Sequence, residues 1–157
     1  DGTGDIGVFR PASGLWAIRG VTRAYFGDWE DIPAPGYYDR TTVERNLGVF
    51  RPSTGLWEIR EVTGFYFGTA SPAVISGDYN GDGWWEPGIF RPFTGLWAVR
   101  GVTRAYFGSF LDAPAPADFN GDGVDDIGIF RPSSGLWAVK GITRVYFGSG
   151  SDLPVTR

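Results

Sequence analysis

The chain has 157 residues, 42% hydrophobic and 17% aromatic, enough to bury a core and too short for many independent domains. Its 14 basic and 18 acidic residues leave a net charge of −4, which argues against a nucleic-acid footprint, and no apolar run approaches the ~20 residues that span a membrane. The absence of histidine and cysteine excludes the commonest general base, Ser-His-Asp and Cys-His arrangements, disulfides and ordinary zinc sites, and so argues against most enzymes.

Glycine and proline are abundant but interspersed with apolar residues, which predicts short strands and tight turns, an all-β chain. The sequence starts at Asp1 with neither methionine nor a signal peptide, and reads as a processed form or a fragment. From Asp1 and Asp5 it runs into FRPASGLW at Phe9 and on to a Phe-Gly ending at Gly27. The segment FRPxxGLW returns at Phe50, Phe90 and Phe130, in steps of 41, 40 and 40 residues, each copy again ending in Phe-Gly at Gly68, Gly108 and Gly148. Four units, approximately 1–36, 37–77, 78–117 and 118–157, fill a single repeat domain, 1–157.

In the last unit, DIGIFRP (126–132) and GLWAVKG (135–141) are β-branched and aromatic runs separated by a Pro-Ser-Ser-Gly turn, and TRVYFG (143–148) makes a third. The proline-flanked APADF (115–119) supplies a fourth. This pattern predicts a β-propeller of four blades, each with four strands and ~40 residues. In circular alignment Asp1 matches Asp122 and Arg157 matches Ala117, so the terminal LPVTR is expected to complete the first blade by strand pairing. The same strand could complete the blade of a neighbouring chain instead.

Two units carry an acidic loop, DYNGDGWWEPGIF (78–90) and DFNGDGVDDIGIF (118–130). Oxygen-bearing side chains at positions 1, 3, 5 and 9 and a main-chain carbonyl at position 7 can wrap a calcium ion, with glycine at position 6 making the bend. The expected ligands are Asp78, Asn80, Asp82, Glu86 and the carbonyl of Trp84, then Asp118, Asn120, Asp122, Asp126 and the carbonyl of Val124. Position 12 is isoleucine and no helix flanks either loop, so these are not EF-hands. An acidic glycine-rich turn without an ion is the plainer reading, disfavoured because carboxylates this close repel one another. YYDRTTVERN (37–46) has Arg40 and Arg45 where ligands should be, and predicts a positive side chain in place of the metal; the first loop keeps only Asp1 and Asp5, a partial set.

The Phe-Gly ends, proline-rich connectors such as DAPAPADF and D-x-N-G-D-G-x-x-[DE] loops resemble FG-GAP and VCBS-type repeats, the blades of integrin α-subunit propellers and many bacterial surface and secreted proteins. The likeness spans essentially the whole chain, although the connectors lack a literal Gly-Ala-Pro. It implies calcium between the first two strands of a blade, extracellular or cell-surface placement, and a role in adhesion or recognition. Propellers of this kind commonly have seven blades, so four repeats leave open a four-bladed ring, half of an eight-bladed dimer, or a piece of a longer array.

The tryptophans of every unit (Trp16, Trp57, Trp97, Trp137) are expected in the core between blades. The recurring arginines (Arg10, Arg51, Arg91, Arg131) and the second basic series (Arg19, Arg60, Arg100, Lys140) are expected to pair with carboxylates or bridge blades. Aromatic residues that break the repeat, Trp29, Tyr37, Tyr38, Trp84, Trp85, Phe93 and Phe110, are the candidates for a ligand surface or for extra packing. The acidic residues outside the loops show no carboxylate pair of the glycosidase kind, so no catalytic residue is expected. The reading is a calcium-stabilised, non-catalytic extracellular module that binds a glycan or protein partner. The alternative is a structural subunit of a surface filament built by self-association.

Overall fold

The computed structural model describes residues 6–69 and 72–156. It is an all-β, four-bladed β-propeller, and the only helix among the described residues is one 3₁₀ turn, Pro11–Ser13. The first sheet contains β1 (Gly7–Arg10), β2 (Leu15–Ile18) and β3 (Thr22–Tyr25). The second contains β4 (Ile32–Pro33), β5 (Gly48–Arg51), β6 (Leu56–Ile59) and β7 (Thr63–Tyr66). The third has β8 (Ala73–Val74), β9 (Gly88–Arg91), β10 (Leu96–Val99) and β11 (Thr103–Tyr106). The fourth has β12 (Ala113–Pro114), β13 (Gly128–Arg131), β14 (Leu136–Val139) and β15 (Thr143–Tyr146).

All pairings are antiparallel and the register repeats: Phe50, Phe90 and Phe130 face Trp57, Trp97 and Trp137 across the central hairpins. Gly95 and Gly135 sit at φ +67°, the left-handed turn position that the Pro-x-x-Gly connection requires. The second, third and fourth blades each take their first strand from the preceding unit, because the Phe-Gly connector carries the chain across to the next sheet. Residues joining β8 to β9 and β10 to β11 therefore lie at one end of the propeller, and those joining β9 to β10 and β11 to β12 at the other.

The core lies between blades, as the apolar residues on both strand faces predict. One cluster joins Trp57 and Phe50 to Ile89, Leu96 and Ala98 of the third blade; another joins Trp97 and Phe90 to Ile129 and Ala138 of the fourth. Each repeated tryptophan also donates its Nε1–H to the Phe carbonyl ten residues on, at 2.9–3.1 Å. In the first three blades the indole thus fills the core while its one polar atom is satisfied; Trp137 of the fourth blade is only half-buried. That double duty explains its recurrence.

The expected closure at the chain ends is not among the pairings of the described residues. The first sheet has three strands, and Leu153 and Val155, in the segment meant to complete it, are 84% and 87% exposed. The physical reason is that the corresponding strands β4, β8 and β12 are only two residues long. Such a strand adds too few ladder bonds to hold blades together unless their faces also pack.

Candidate metal centre

Both acidic loops join the first two strands of a blade, and both wrap around their first aspartate. The Asp78 carboxylate accepts main-chain N–H bonds from Gly81 and Gly83, each 2.7 Å, and that of Asp118 accepts them from Gly121, Asp122 and Gly123 at 2.7, 3.1 and 2.9 Å. Asn80 and Asn120 Oδ1 each accept the N–H two residues on, at 2.8 Å, and Asp82 and Asp122 do the same for Trp84 and Val124 at 3.0 and 2.9 Å. Gly83 and Gly123, at φ +85° and +87°, make the bend a side chain would oppose. At position 9, Glu86 and Asp126 reach back to the N–H of Tyr79 and Phe119, at 3.0 and 2.9 Å. The expected ligands of each loop are thus gathered on one tight turn.

Among the described residues, no group of three or more Asp or Glu side chains converges as a ready-made metal cluster. Each loop instead offers spaced oxygens of mixed charge: carboxylates, one amide and a main-chain carbonyl. With no thiolate or imidazole in the chain, this donor chemistry suits a hard divalent cation such as calcium and no soft metal. Burial, with Asp82 and Asp78 nearby, raises the Glu86 pKa, whereas the N–H of Gly123, helped by those of Gly121 and Asp122, holds Asp118 low. Asp1 and Asp5, the partial set, lie outside the described residues.

The two arginines of the second loop do not stand in for an ion there. Arg40 reaches across to the carboxylate of Asp82 in the third loop. Arg45 lies between the rings of Tyr37 and Trp85, 5.1 and 5.4 Å from their centroids. At position 9, Asn46 supplies a neutral oxygen, accepting from the N–H of Tyr38 and Asp39 at 3.0 Å each. Successive loops are also joined by main chain: Trp85 N–H donates to the Tyr37 carbonyl at 2.7 Å, and Asp125 N–H to the Asp78 carbonyl at 2.6 Å. Asp125 Oδ2 further accepts the Asp78 N–H at 2.9 Å, and burial, with Asp78, Asp118 and Asp126 nearby, raises its pKa.

The aromatic candidates divide by location. Tyr37 and Trp85 meet edge-on at 6.0 Å in the contact between the second and third loops. Tyr38 is turned inward, its hydroxyl bonded to the Ala34 carbonyl at 3.1 Å and its pKa pushed up to about 12 by burial. Trp84 is half-buried on the third loop. Trp29 is exposed, and so are Phe93 and Phe110, which stack at 4.8 Å. These three sit at the end of the propeller opposite the acidic loops.

Sequence reasoning missed a carboxylate clip. Asp31 and Asp112, with no side-chain exposure, each hold the blade arginine through two bonds: Arg51 at 2.9 and 3.0 Å, Arg131 at 2.7 and 2.8 Å. The signal was legible as Asp-x-Pro, which recurs as DIP at 31, DAP at 112 and DLP at 152. In the third blade Pro72 replaces the aspartate, and the buried Nε of Arg91 has no hydrogen-bond partner among the described residues. The expected pairing thus holds for Arg51 and Arg131, while Arg100 bridges blades by lying over the Phe65 ring at 4.2 Å.

Comparison of the chain with protein-family models, curated proteins and solved structures matches none of them. No helix of the described residues is long and apolar enough to cross a membrane.

Proposed function

We infer that this chain is an extracellular binding module of the FG-GAP or VCBS kind, whose third and fourth loops hold calcium and which performs no chemistry of its own. The observation that carries the reading is the double occurrence of one loop: the same oxygens at positions 1, 3, 5 and 9, wound on the same left-handed glycines, in blades of otherwise different loop chemistry. Asp78, Asn80, Asp82, Glu86 and the Trp84 carbonyl serve one ion; Asp118, Asn120, Asp122, Asp126 and the Val124 carbonyl serve the other. Calcium offsets the mutual repulsion of these carboxylates and stiffens loops already linked by main-chain bonds. Millimolar calcium outside cells suits loops with so few charged ligands.

The recognition surface is the opposite end, where Trp29 and the Phe93–Phe110 stack stand exposed. Flat aromatic faces on a rigid scaffold suit a sugar ring or a protein anchor.

Thermal unfolding with calcium and with chelator tests the metal. Ligand at a hundredfold excess over Kd adds about 2.7 kcal/mol per site, a Tm rise of roughly 5–10 °C for a chain of this size. Asp118→Ala should remove most of the fourth-loop share, whereas Asp39→Ala, in the second loop, should leave the calcium response intact. A Tm indifferent to chelation overturns the calcium reading. Loss of binding on a glycan panel for Trp29→Ala and Phe93→Ala, at unchanged Tm, then identifies the surface.

A further inference from the structure

The contact that joins successive blades is built three times inside this chain, and both of its halves recur, without a partner among the described residues, on the first and fourth blades. Two elements meet in every internal copy, and a third joins them in two of the three. A Val or Ile of the receiving blade (Val49, Ile89, Ile129), at most 2% exposed, packs under the Phe-Gly glycine of the preceding blade. A two-residue strand pairs with the receiving edge: Ile32 and Pro33 with Phe50 and Val49, Ala113 and Pro114 with Phe130 and Ile129. In the second and fourth blades an aspartate just before that strand clasps the receiving arginine.

The leading edge of the first blade presents the receiving half. Val8 is 61% exposed where its counterparts are buried; Arg10 is exposed, and among described salt bridges this arginine series is represented only by Arg51 and Arg131. The trailing end of the fourth blade presents the donating half. Phe147 and Leu153 are 79% and 84% exposed. Asp152 already accepts the Ser149 N–H and hydroxyl at 2.7 and 3.2 Å, as Asp112 accepts those of Ser109 at 2.8 and 3.1 Å. The clip is formed before its arginine arrives.

We propose that the trailing end of one chain docks on the leading edge of a second copy: Leu153 and Pro154 extend its β1 beside Phe9 and Val8, Asp152 pairs with its Arg10, and Phe147-Gly148 covers its Val8. The occupant is a second copy because the two faces match each other in register, charge and apolar shape as the internal interfaces do, while within one chain they stay apart. The contact is heterologous, so two chains that return on each other form a closed eight-bladed pair. It stands independently of whether the loops hold calcium.

Sedimentation velocity from low to high micromolar protein tests this. The expected result is growth from the 17.1 kDa chain to about twice that mass, or to longer head-to-tail series. Arg10→Asp and Asp152→Arg, both on exposed side chains, should each fold normally by circular dichroism and weaken association about thirty-fold or more. An equimolar mixture of the two variants should associate again, because each then meets an opposite charge on its neighbour. A monomer at every concentration, or single variants that associate as the parent does, overturns the proposal. So does a mixture that stays monomeric, which would mean that Arg10 and Asp152 do not face each other across the contact.

Discussion

Single residues that break the repeat reveal what each position demands. Gly20, Gly101 and Gly141 close the turn after the second long strand of three blades at φ +75°, +79° and +77°; in the second blade Glu61 holds the same conformation at φ +63°. A side chain there costs roughly 1–2 kcal/mol of steric strain. Its ion pair with Arg60, 3.1 Å with the Glu61 side chain 79% exposed, offsets little of that. Glu61→Gly is therefore expected to raise stability by about 1 kcal/mol, part of the relief being lost to the greater freedom of glycine in the unfolded chain. A urea titration should show a higher midpoint at unchanged slope; a lower midpoint would mean that the Arg60 pair outweighs the strain.

At the scale of elements, the Asp-x-Pro clip ties the connectors entering the second and fourth blades to the arginine of the strand that receives them. Burial by itself raises the Asp112 pKa, but the Arg131 bonds, with the Ser109 N–H and hydroxyl, outweigh it and leave the carboxyl below its ordinary value of 3.8. A carboxyl depressed in the folded state contributes stability that is complete above its unfolded pKa and disappears as pH falls through the folded value. The clip therefore works fully at neutral pH, begins to weaken as pH falls under 3.8 and is lost below the lower folded value. Arg131→Leu strands a buried carboxylate and should cost about 2 kcal/mol at pH 7, less than a fully buried pair because Arg131 is partly exposed. Arg91→Leu, which removes an orphaned donor, should change stability by less than about 0.5 kcal/mol. Equal losses in denaturant titrations would show that the clip contributes nothing. The same elements show what was readable in advance. The blades and the central hairpins were legible, because Pro-x-x-Gly turns and four near-identical apolar runs are local signals. The two acidic loops were legible as a spacing of side-chain oxygens and glycines. The destinations of Arg40 and Arg45 were not, since Asp82 and Trp85 belong to the next blade and no pattern within one unit encodes a contact between units. The missing strand of the first sheet was hidden for a related reason: sequence symmetry treats the first and fourth blades as neighbours, whereas packing has to bring their faces together.

For the whole molecule, stability is carried by contacts between neighbouring blades, which makes it unequal along the chain. The second and third blades are covered on both faces, and Trp57 and Trp97 are fully buried. The first blade has three strands and an exposed Val8, and β15 of the fourth is exposed at every residue. Hydrogen exchange on dilute protein should therefore be slowest in β6 and β10, intermediate in β14, and fastest in β1 and β3. If the ends dock on a second copy, raising the protein concentration should protect β1 first, since strand addition pairs its outer edge directly, and should leave β6 and β10 unchanged because their neighbours are already in place. Uniform protection across all four sheets at low concentration would mean instead that the blades unfold as one cooperative ring. The two outcomes separate a propeller held from its middle outward from one held by closure, and only the first leaves its ends free to bind.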